Sequence, residues 1–221
     1  MASLKEMARN LSLVGLVEFL VSRWRLVAAG LLVVILAGVG WFAYDWYRTG
    51  IERAGEGALV QAYQEIRKVE ESPEKREEVA IAQLRQVVER HSGTKAAGES
   101  LMRLGNILYE SGKHDEALEA FGRYLQAFPG GPHRVKAAIG KAYSEESKGD
   151  LAAAEQTLLA IISSAKGDPL LGEAEIGLAR IYEALKKTDE ASKLFGQIVE
   201  KYPQSQWAQQ ATERLGSPKS K

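Results

Sequence analysis

Gly93-Thr94-Lys95-Ala96-Ala97-Gly98-Glu99-Ser100 follows the outline of a phosphate-binding P-loop. In such a loop backbone N–H groups cradle the phosphates and a lysine ahead of the last hydroxyl residue reaches them. Here Glu99 stands in the lysine's place, which reverses the charge, and no strand-like run leads into the loop. The three histidines, His91, His114 and His133, fall at a helix end, a turn and a loop, with neither the H-E-x-x-H spacing that holds zinc nor a G-x-S-x-G nucleophile elsewhere. The absence of cysteine removes thiolate metal sites, cysteine nucleophiles, disulfides and a lipidated-cysteine anchor together. No set of residues assembles into a reaction centre, so the expectation is no catalytic residue, no metal and no cofactor: a chain that is not an enzyme.

Charge narrows the partners. The sequence carries 29 basic and 29 acidic residues. No stripe of Lys and Arg with interleaved aromatics appears, which argues against nucleic acid. The partners expected are proteins and a membrane.

The membrane expectation rests on Leu26 to Tyr44, an uncharged apolar run that at about 1.5 Å per residue spans roughly one hydrocarbon core. Trp41, Tyr44, Trp46 and Tyr47 mark its far boundary, where aromatic rings settle at the lipid-water interface. Lys5, Arg9, Arg23 and Arg25 precede the run, and only Arg48 and Arg53 follow closely, a bias that puts the N-terminus inside. A cleaved leader is the competing reading, with Gly38-Val39-Gly40 as a small-residue cleavage site, but the run and the segment before it are long for one. Residues 1–25 read as a cytoplasmic amphipathic helix: Lys5, Arg9, Ser12, Ser22 and Arg25 form one polar stripe, and Ser3 with Glu6 has the form of a capping box.

Beyond the span, the periodicity is helical throughout. Ala127-Phe128-Pro129 and Lys201-Tyr202-Pro203 each close a helix, as Arg90-His91-Ser92 does more weakly. Stepping back from Pro129 gives Phe121, Ala117, Gly112, Leu108, Gly105, Leu104 and Leu101; the same steps from Pro203 give Phe195, Ala191, Lys186, Tyr182, Ala179, Leu178 and Glu175. This spacing resembles the tetratricopeptide repeat, a 34-residue helix-turn-helix in which small residues let two antiparallel helices touch. A middle copy carries Ile139, Gly140 and Tyr143, then Gly149, Ala154, Leu158 and Ile161. In it Tyr143 lies six steps from the turn glycine where Leu108 lies four, which predicts a longer or bulged first helix.

The expected fold is therefore all-α: an N-terminal amphipathic helix and single transmembrane helix, then a tetratricopeptide-repeat α-solenoid. Its divisions are residues 1–25, a transmembrane helix over 26–47, an extended helix and degenerate first repeat over 48–92, three repeats over 98–203, a capping helix over 204–216 and a loose tail over 217–221. Phe121, Tyr143, Tyr182 and Phe195 read as packing residues. Gly50, Ala54, Ala58 and Ala62 recur every fourth residue and predict a bare helix face, filled by the second helix of the first repeat or by a partner helix or second copy of the chain. If the first helix of each repeat lines the inner face, Arg103, Asn106, Lys136, Lys141 and Arg180 meet a partner there, and an acidic or helical polypeptide is the expected ligand.

A short basic N-terminus, one span, an Ala-rich helix with Tyr63 and the repeats together resemble the ancillary subunit of the bacterial SecYEG translocon, through Glu18-Phe19-Leu20 to Gln64-Glu65-Ile66. The resemblance implies a single-pass bacterial inner-membrane protein with cytoplasmic N-terminus and periplasmic repeats. It further implies an adaptor between translocon subunits and periplasmic chaperones. The same architecture leaves open a scaffold for an envelope-assembly or cell-division complex, including a homo-oligomer.

Overall fold

The computed structural model describes residues 21–70 and 72–216. The expected capping box at Ser3 and Glu6, most of the amphipathic stripe and the tail after Gly216 lie outside them. The chain divides into two compact units, Met1–Ile51 and Glu52–Lys221.

Helix α1 runs Trp24–Lys68 without interruption, so the expected division near residue 47 falls inside one element. Within the first unit its side chains from Leu31 to Leu36, with Val39, Trp41 and Phe42, are all more than half exposed. An unbroken apolar surface of this length has no counterpart in a water-facing helix, whose apolar stripe is covered by a core. It is long and apolar enough to cross a membrane.

The second unit begins with the last turns of α1 and continues through eight helices: α2 (Pro73–Arg90), α3 (Lys95–Glu110), α4 (His114–Ala127), α5 (Arg134–Ser147), α6 (Leu151–Ser164), α7 (Leu171–Ala184), α8 (Thr188–Lys201) and α9 (Gln206–Gly216). Local chemistry fixes several starts. Ser72 accepts a hydrogen bond from the Lys75 amide with Pro73 at the first helical position, Thr94 accepts from Ala97, and Asp150 accepts from Ala153. The outlined P-loop thus serves as a turn and a cap: Gly93 takes φ +79° and Thr94 closes the start of α3.

From α2 onward each helix packs on the next in sequence, and first helices of successive repeats also touch, α3 on α5, α5 on α7 and α7 on α9. The turns inside the repeats set the period. Gly112, Gly149 and Lys186 all sit at positive φ, 37 residues apart, and α4, α6 and α8 begin at the same interval. Ala117, Ala154 and Ala191 fall at one position of this register and are buried, letting each helix pair close. Phe121 lies between Gly105 and Gly140, where an added Cβ would come within 2.6 Å of its ring from either side.

That register corrects the expected first helix of the middle repeat. α5 is an uninterrupted helix of 14 residues, shorter than the 16 of α3, and carries no bulge. Counted from the turn, Glu145 and not Tyr143 occupies the position of Leu108, and Lys141 that of Leu104. The slip of two arose because the charged residues stand where a repeat places leucines.

Candidate protein-interaction surface

The first helices α3, α5 and α7 carry the expected partner-binding residues, and the structure divides them. Arg103 and Asn106 lie on α3, Lys136 on α5 and Arg180 on α7, all at least partly exposed. Leu104, Ile139 and Leu178 on the same helices are each 4% exposed and point into the core. Lys141 does not join them. Its ammonium bonds the Glu145 carboxylate and the Thr157 hydroxyl, so it faces α6 and belongs to the interior of the repeat.

The exposed arginines are held by neighbours. The Arg103 guanidinium stands 4.8 Å from the Tyr63 ring centroid and bonds Glu99 at 3.2 Å, while Tyr63 donates its hydroxyl to the same carboxylate at 3.1 Å. Arg180 makes a similar cluster two repeats on, 4.8 Å from the Tyr143 ring and bonded through two nitrogens to Glu146, at 3.1 and 2.6 Å. Desolvation and the Glu99 charge push the Tyr63 phenol up to about 12. Burial raises the Tyr143 phenol. Burial also works against the Arg180 charge, but the hydrogen bonds and field of Glu146 outweigh it and raise that pKa. Each Tyr-Arg-Glu cluster is thus pre-set and close to neutral. Among the described residues Lys136 and Asn106, by contrast, make no ion pair or side-chain hydrogen bond, which leaves them open to a ligand.

The bare helix face is placed differently from expectation. Gly50 and Ala54 are exposed, Ala58 is half-buried and Ala62 is 2% exposed. A four-residue step overshoots one helical turn, so twelve residues drift by about 120° around the axis. The packed stripe of α1 is instead Gly55, Leu59 and Ala62, all buried, with Leu59 and Ala62 in the cluster of Leu84, Val87 and Leu101. Gly55 lies against the Thr94 side chain, and Glu52 accepts a hydrogen bond from the Lys95 amide at 3.0 Å. Sequence reasoning missed Glu52 and Tyr63 as the groups joining α1 to α3; the Tyr63, Glu99 and Arg103 types were visible, but their meeting across 36 and 40 positions was not.

Among the described residues no cluster of three or more His, Cys, Asp or Glu side chains could hold a metal. His91 ends α2, His114 opens α4 and the His133 amide donates to the Tyr124 hydroxyl, so the three are spread along the unit.

A tetratricopeptide repeat model matches residues 78–132, and a tetratricopeptide repeat-like domain model matches residues 119–217. No curated protein matches the chain. Among solved structures, the Podosopora anserina putative kinesin light chain nearly identical TPR-like repeats are similar with a TM-score of 0.56 at 18% identity, covering 75% of this chain and 84% of that one. MamA 41-end from Desulfovibrio magneticus RS-1 gives 0.56 at 17% identity, covering 73% and 81%. Likeness at these identities shows the fold. The protein is a tetratricopeptide-repeat protein with a long N-terminal apolar helix, all-α, and its repeats are a protein-protein interaction scaffold of a kind that is typically non-enzymatic.

Proposed function

We propose that the protein is a single-span membrane adaptor whose first-helix face, over α3, α5 and α7, holds a polypeptide. The observation that carries this reading is the pair of Tyr-Arg-Glu clusters flanking the unpaired Lys136 and Asn106. Side chains already ordered by their neighbours lose little entropy when a partner docks, which favours binding by a preformed surface. Because Glu99 and Glu146 balance Arg103 and Arg180, the ligand need not be strongly acidic, and affinity depends on salt only modestly.

The resemblance to the translocon's ancillary subunit supports a finer reading: a bacterial inner-membrane protein, N-terminus in the cytoplasm, repeats in the periplasm, joining translocon subunits to periplasmic chaperones. Co-purification of the full chain in mild detergent tests it. Translocon subunits or periplasmic chaperones should accompany the wild type and be lost on Asn106→Arg with Lys136→Glu, two changes at unpaired positions that leave the melting temperature unchanged. Retention of every partner by that variant removes the inner face from the account, and recovery of division or envelope-assembly proteins instead overturns the translocon reading.

A further inference from the structure

The outward side of the second helices differs from the inner face. In the 37-residue register, Gly122 of α4, Leu159 of α6 and Gly196 of α8 occupy one position. Leu159 is 43% exposed, whereas the flanking glycines meet nothing within 4 Å of an added Cβ, so no internal contact calls for them. A glycine inside a helix costs stability relative to alanine, and close approach of another surface is one reason to keep it. One turn to either side, Glu119 and Gln126, Gln156 and Ser163, and Lys193 and Glu200 are all exposed. Neither Lys193 nor Glu200 has an ion-pair partner among the described residues.

This pattern is complementary to itself. Under a two-fold axis running across the helices at the level of Leu159, the side chain three residues before the central row lies opposite the one four residues after it in the other copy. Lys193 then faces Glu200 of the other copy, and the reverse, while Glu119 faces Gln126, an acceptor against an amide donor, and Gln156 faces Ser163. The two Leu159 side chains meet at the axis, and the glycine positions let the backbones close beside them. An isologous contact requires such matching of a patch with itself. We propose that the outer face of α4, α6 and α8 is the contact with a second copy of this chain, leaving the first-helix face open.

The cysteine-free sequence allows a direct test in the full chain in its membrane. Leu159→Cys places its thiol at the axis, and mild oxidation should yield a disulfide-linked dimer at twice the chain mass; Lys166→Cys, on an exposed loop off this face, should not. On the Leu159→Cys background, Lys193→Glu should cut the dimer at least tenfold, and Lys193→Glu together with Glu200→Lys should restore it, because the swapped pairs meet again. Absence of the Leu159→Cys dimer, equal cross-linking at Lys166→Cys, cross-linking to another protein or failure of the double swap to rescue would each overturn the proposal.

Discussion

Two glycines of α1 and α3 show how a missing side chain acts in opposite ways. Gly105 carries the ring of Phe121, whose Cε1 would lie 2.6 Å from an added Cβ, and Gly57 faces open space. Gly105→Ala should therefore lower stability by about 1–3 kcal/mol through overpacking, whereas Gly57→Ala should raise it by about 0.5–1 kcal/mol by restricting the unfolded chain. Denaturant titration of the full chain in detergent reads both signs. Tyr63 supplies a pH-dependent prediction. Its phenol is raised from 10.0 to about 12, so the fold favours the protonated form and that stability is complete below pH 10, then lost as pH rises toward about 12. Tyr63→Phe should flatten the alkaline fall across that window; a variant that tracks the wild type there would mean that burial and Glu99 do not govern the group.

At the scale of elements, the middle repeat is the exception. Where α3 and α4 set Leu104, Leu108 and Ala120, α5 and α6 set Lys141, Glu145 and Thr157, bonded to one another, with the Glu145 side chain 7% exposed. Removing one partner strands the others, so Glu145→Ala should cost about 1–3 kcal/mol, below the range for a fully buried pair because Lys141 retains 28% exposure. Installing the neighbouring repeat's residues, Lys141→Leu with Glu145→Leu and Thr157→Ala, should be neutral or stabilising by up to about 4 kcal/mol. Thermal melts compare the two, and a triple variant less stable than Glu145→Ala would reject the register. The same residues show what the sequence conceals. Proline, turn glycine and alanine spacing made both flanking repeats and the capping helix legible, since these follow from backbone geometry. Lys141 and Glu145 hid the register of α5 because a charged side chain reads as surface until its partner on another helix is known. Lys141 was consequently expected on the inner face, and the Tyr63 and Tyr143 clusters, which join residues of different repeats, carried no local signal.

For the whole molecule, the apolar part of α1 and the repeats divide the work. The first unit has an apolar surface that water leaves uncompensated, and the second has continuous buried clusters from Leu59 to Ala211. A spanning helix predicts that the intact protein stays in the pellet when membranes are washed with alkaline carbonate; release of a shortened chain beginning near Trp41 would instead mark α1 as a cleaved leader. The account joins this anchor to a polypeptide-binding inner face, and one measurement tests both. The full-length protein, carrying a photoreactive residue in place of Lys136, is irradiated in intact membranes and then washed with alkaline carbonate. The account predicts covalent adducts to a polypeptide that remain in the membrane pellet. Adducts that form only when the probe replaces Gln156 on the outer face, or adducts released into the supernatant, would contradict it.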